Sequence, residues 1–112
     1  MQNAFKALGN TVAITAASSP PAGVQAGTRS TFAAFSGQYR IINTGSVIVH
    51  LGVGSNAAAA QSAAAAAVSS TPAAGIPLLP GATEVFSFEI DSFFSGLAAN
   101  NTTVYITPGA GI

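Results

Sequence analysis

The chain has 112 residues, only 5% of them charged, and three basic side chains cancel three acidic ones. Globular domains ordinarily carry about 25% charged residues, so little repels one copy of this chain from the next and association is expected. Three scattered cations (Lys6, Arg29 and Arg40) cannot neutralise a run of phosphates, which argues against nucleic acid, and the absence of cysteine excludes disulfides and thiolate chemistry.

The start, MQNAFKALGNTVAITAASS, only faintly imitates a secretory leader, because Gly9, Asn10 and Thr11 interrupt its apolar stretch; no cleaved signal is expected. No apolar run approaches the roughly 20 residues of a membrane helix, and no membrane partner is expected. Thr11 to Thr15 alternates as a short strand. Ser18 to Gly23 then breaks regular structure, since Pro20 and Pro21 fix φ and remove two amide donors. Val24 to Arg29 reads as a further short strand or as an arm along a neighbour, and Thr31 to Phe35 leads onward, with Gly37 as a bulge or corner. We therefore divide the chain into residues 1–37, an N-terminal arm with the first strand or strands, and residues 38–112, the main domain.

The stretch QYRIINTGSVIVHLGVG, Gln38 to Gly54, predicts a β-hairpin. Tyr39 to Ile42 and Val47 to Val53 are rich in β-branched and aromatic residues. Asn43-Thr44-Gly45 suits a three-residue loop closed by Gly45 in the left-handed region. Val47, Val49, Leu51 and Val53 share an apolar face, and Ile48, His50 and Gly52 share a mixed one. NAAAAQSAAAAAVSS, Asn56 to Ser70, reads as a short helix within Ala57 to Ala66, capped by Asn56, or as a low-complexity loop; the helix is favoured.

Ile76 to Leu79 contains Pro77 and should be an edge strand or a strand entrance. Pro80-Gly81 suits a type II turn. Thr83 to Ile90 alternates, with Phe86 and Phe88 as the expected core aromatics. Asp91 to Leu97 suits one helical turn, capped by Asp91 or Ser92 and ended by Gly96. Thr102 to Thr107 is the last strong strand, with Tyr105 facing away from Val104 and Ile106, and Pro108 to Ile112 reads as an unpacked tail. Six or seven short strands between Gly/Pro turns describe an all-β fold: an antiparallel β-sandwich of jelly-roll or Greek-key type, with one short helix or helical turn.

The side chains do not assemble into a reaction. His50 is the sole histidine and lacks a second metal ligand nearby. Glu84 and Glu89 fall on opposite faces of one strand, and Asp91 has a capping role to fill. The Gly-rich run from Gly52 to Asn56 lacks the lysine of a phosphate loop. No catalytic residue, metal site or cofactor is expected, and the protein is not expected to be an enzyme. Arg29 and Arg40, together with Pro20 and Pro21, are the candidate interface residues.

The series YRIINTGSVIVHLGVG, IPLLPGATEVFSF, FFSGLAA and TTVYITPGAGI, within Gln38 to Ile112, resembles small Ala/Gly-rich virion proteins of tailed bacteriophages. Some of these are capsid decoration, or cement, proteins. The resemblance implies a structural protein on the capsid exterior that stabilises the head by binding the major capsid protein across capsomer boundaries. It implies no catalysis. Alternatives are a head-tail or tail structural subunit, and a secreted bacterial surface or pilin-like protein or carbohydrate-binding β-sandwich. A homo-oligomer, trimer or dimer, is expected.

Overall fold

The computed structural model describes residues 6–7, 11–26, 37–66, 76–89 and 92–110. Their strands are β1 (Lys6–Ala7), β2 (Val12–Ala16), β3 (Val24–Gln25), β4 (Gln38–Asn43), β5 (Val49–Gly54), β6 (Ile76–Leu78), β7 (Thr83–Ser87), β8 (Phe93–Ala98) and β9 (Thr102–Ala110); helix α1 (Ala57–Ala65) lies between β5 and β6. Two sheets form. In sheet A the order is β1-β9-β4-β7, with β2 following β1 along the same edge of β9; in sheet B it is β3-β8-β5-β6. Every strand pair is antiparallel, and the pairs β2·β9, β3·β8, β4·β7 and β5·β6 nest one inside another. Rolling such a nested ribbon brings β4 against β9 and β5 against β8. That connectivity is a jelly roll, so the all-β sandwich expected from the alternation is the fold.

Period-two alternation puts one face of each sheet into a shared core. Sheet A contributes Ile14, Tyr39, Ile41, Val104 and Ile106; sheet B contributes Val49, Leu51, Leu78, Phe94 and Ala98. Val49, Leu51, Val104 and Ile106 are buried as their spacing predicts, and Val47 is half-buried against them. Tyr105 turns outward between its two buried neighbours. Phe86 and Phe88 are not the main core aromatics. They stack on each other at 5.7 Å and lie half-buried, because Phe86 is on β7, the edge of sheet A, and Phe88 follows directly after it. The central rings are Tyr39 and Phe94, both fully buried and packed edge-on at 4.8 Å, one from each sheet. Tyr39 keeps its hydroxyl satisfied at the core boundary by donating to the Glu89 carbonyl at 3.0 Å.

Several local readings are overturned by pairings distant in sequence. Residues 38–54 are not a hairpin: β4 lies in sheet A and β5 in sheet B. Asn43, fully buried, turns the chain between them. Its Oδ1 accepts from the Gly45 amide, and its Nδ2 donates to the carbonyls of Val47 and Leu78. Gly45 does not adopt the left-handed region expected of it, which among the described glycines belongs to Gly37 and Gly81. Phe93 to Leu97 is not a helical turn, since β8 is an inner strand of sheet B. Gly96 is a thin point there, not a helix stop. A Cβ on it would stand 2.9 Å from the Ala16 Cβ, where β2 crosses to bridge β8 through Ala17 and Leu97. Pro108 to Ala110 is not a tail, because β9 continues through it and pairs with Gln38, Tyr39 and β1.

Other expectations hold. Leu79 to Ala82 forms the type II turn, with Gly81 at φ +74° and the Ala82 amide donating to the Leu79 carbonyl at 3.0 Å. Ile76–Leu78 is an edge strand. The N-terminal third contributes β2 and β3 to the two sheets, with Ile14, Ala16 and Ala26 in the core. Residues 12–16 are therefore part of the sandwich itself. The stretch from Thr31 to Phe35 lies outside the described residues.

Candidate functional site

The outer face of sheet B has two halves with opposite character. On β5, Val49, Leu51 and Val53 point to the core, which leaves His50, Gly52 and Gly54 outside. Helix α1 lies on the glycine half. Its N-terminus is set by Asn56, whose Oδ1 accepts from the Ala59 amide at 2.8 Å. A Cβ on Gly52 would meet the backbone of Ala64 and Ala60 at 2.3–2.7 Å, and one on Gly54 would meet the Ala60 amide nitrogen at 2.6 Å. Alanine on the helix and glycine on the strand thus let two backbones approach closely. This contact answers how an alanine helix with little apolar area per residue finds a seat.

Pro20 and Pro21 complete that seat. The Pro20 carbonyl accepts from the Gln61 side chain at 2.9 Å, and the Pro21 carbonyl from the Ser95 hydroxyl at 2.6 Å. Gly23 donates to the Ala57 carbonyl at 3.1 Å. The double proline is therefore a strap across α1 and β8, tied to the same molecule through its carbonyls.

The other half of the face is open and forms a pocket of about 620 Å³. Val47 and Ile48 bound it just before β5 and His50 on that strand, Leu97 and Ala98 at the end of β8 with Ala99 just after it, and Pro80 from the type II turn. Ser18 and Ser46 add hydroxyls, and none of these residues carries a carboxylate or a permanent cation. His50 is half-buried and sits beside Leu97 and Pro77 across the sheet. Ile48 and, next to Pro80, Leu79 remain 42% and 60% exposed. A largely apolar recess with an imidazole and hydroxyls at its wall suits an apolar group, with polar atoms to orient it. Among the described residues no three His, Asp or Glu side chains gather as a metal site would need.

The outer face of sheet A carries a different set of side chains. Register places Ile42 beside Tyr105, Tyr105 beside Ala13, and Thr103 beside Thr15. Arg40, half-buried, lies between Val85 and Thr107 and is the charged side chain of this face among the described residues. Arg40, Pro20 and Pro21 thus stand on two different features: Arg40 on sheet A, the prolines on the strap over sheet B. Arg29 and Asp91 lie outside the described residues. Glu84 and Glu89 are exposed at the β7 edge and beyond it. The pocket around His50 escaped the sequence reading; the mixed face of Ile48 and His50 was its only local sign.

Comparison with protein-family models, curated proteins and solved structures finds no match. The functional reading therefore rests on this geometry and on the composition.

Proposed function

We propose that this chain is a structural protein that works by burying uncharged surface against other protein, and specifically a capsid decoration protein of a tailed bacteriophage. In this reading it sits on the capsid exterior, binds the major capsid protein across capsomer joints as a homo-oligomer, and catalyses nothing. The outer wall of sheet A carries the proposal: Tyr105, Ile42, Val85 and a set of threonines around one half-buried arginine. A wall with a single charged side chain among its described residues loses little desolvation energy when covered, and interfaces favour Tyr and Arg at their centres. Small energies per copy then sum over many joints. The jelly roll serves viral capsid domains and also lectins and enzymes, so the fold supports the reading only as an analogy. Burial of Tyr39 leaves Tyr105 as the described tyrosine able to stack on a sugar, which disfavours a carbohydrate-binding role.

The test mixes purified protein with heads lacking it and measures bound copies per head and resistance of the heads to heating. The wild-type chain should saturate at a fixed stoichiometry and raise the disruption temperature, and Tyr105→Asp should weaken binding at least tenfold. Absence of binding to heads, with binding instead to connectors or tails as a ring, would support the head-tail alternative. Binding to neither would overturn the virion reading.

A further inference from the structure

The pocket beside His50 and the most exposed large apolar side chain near it belong to the same patch. Leu79 is 60% exposed and is followed directly by Pro80, which lines the pocket wall. It stands on a rigid support: the type II turn closed by the Ala82–Leu79 hydrogen bond, with Gly81 surrounded by open space. The Gly81 amide is further held by the Asn43 carbonyl at 3.0 Å, and the buried Asn43 ties this turn's base to β6 through Leu78. An apolar knob on a braced turn thus stands at the rim of an apolar hole.

We propose that a second copy of this chain docks here about a twofold axis, the Leu79 of each copy seated in the other's pocket. Three observations select this occupant. Knob and hole are adjacent, so one rotation satisfies both at once, as a self-complementary twofold contact requires. Neither partner surface carries a carboxylate, a lysine or an arginine, so the contact strands no permanent charge, and the chain's zero net charge leaves no long-range repulsion to overcome. A recess of about 620 Å³ lies within the roughly 300–1,000 Å³ of sites that take drug-sized groups, room enough for Leu79 with its flanking turn atoms. Exposed Ile48 at the rim would be covered by the same contact. This deepens the assembly reading by naming the copy-to-copy surface. It leaves sheet A free for the capsid.

His50 makes the pocket directly observable, because it is the only histidine in the chain and its imidazole protons give isolated NMR signals. The experiment measures those signals and the mass by light scattering across a concentration series of the full chain. The two should change together as the dimer forms. Leu79→Asp should weaken dimerisation at least about a hundredfold, since the aliphatic contact is lost twice in a symmetric pair. Ala99→Phe, which fills the exposed pocket from within, should also give a monomer. Both sites are exposed, so circular dichroism should show the native fold in each variant. A dimer that persists in both variants, or His50 signals that ignore dimer formation, would overturn the docking while leaving the virion reading intact. A chain that stays monomeric at millimolar concentration would also overturn it. Failure to bind heads alongside a Leu79-dependent dimer would instead remove the virion reading alone.

Discussion

Replacing Gly52 by alanine tests how α1 is seated. In an ordinary strand this change favours folding by about 0.4–1 kcal/mol, because alanine restricts the unfolded chain. Here the new methyl would stand 2.3 Å from the Ala64 nitrogen, 2.6 Å from the Ala60 oxygen and 2.7 Å from the Ala64 Cα. All three are backbone atoms, so no rotamer change relieves the clash. Non-bonded heavy atoms prefer roughly 3.5 Å, so the helix must retreat by about 1 Å. Overpacking costs about 1–3 kcal/mol, and here the upper part of that range, about 2–3 kcal/mol, because backbone must move; after the unfolded-state gain the net loss is about 1–2.6 kcal/mol. The melting temperature of a domain this size should fall by about 4–10 °C. Urea titration measures the loss, and hydrogen exchange locates it: amides of α1 should exchange faster while those of β4 and β9 hold. Gly81→Ala is the control, since its φ of +74° costs about 1–2 kcal/mol with nothing within 4 Å of the new methyl. It should leave α1 exchange unchanged. A Gly52→Ala protein as stable as wild type, with α1 protection intact, would refute the close helix–strand contact.

Three further outcomes follow from the core and its corners. Phe94→Ala should cost about 3–5 kcal/mol in urea titration, and Phe88→Ala less than Phe94→Ala, because Phe94 is fully buried and Phe88 half-buried; the reverse order would refute the assignment of the central rings. Asn43→Ala should cost about 2–4 kcal/mol, since it abandons the buried Leu78 carbonyl, the Val47 carbonyl and the Gly45 amide together. Asn43→Asp, which keeps the acceptor and loses both donors, should also be destabilised. Ile14→Asp should abolish the cooperative transition, because it places a carboxylate in the core from β2. Retained cooperativity would mean that residues 12–16 are peripheral to the sandwich after all.

Composition and alternation by themselves determined that this chain is a sparsely charged β-sandwich, which strand faces are apolar, where Asn56 starts a helix and where Pro80-Gly81 turns. Those signals are local: a side chain's face follows from the two-residue period, and a cap or turn from three or four neighbouring residues. Which strands pair is not local. Asn43-Thr44-Gly45 has the composition of a hairpin loop, yet in the fold Asn43 spends its amide on Leu78, 35 residues away, and sends β5 into the other sheet. Phe93 to Leu97 and Pro108 to Ala110 look unlike strands because Gly, Ser and Pro lower their intrinsic preference. They become strands because β5 offers a ladder to Phe93 to Leu97 and β4 offers one to Pro108 and Gly109, while Ala16 of β2 and Val49 of β5 press so closely on Gly96 that a larger residue would displace them. The seat of α1 on Gly52 and Gly54 and the pocket beside His50 arise the same way. Each needs backbones from β5, β8 and a distant turn at once, and tertiary packing alone brings them together.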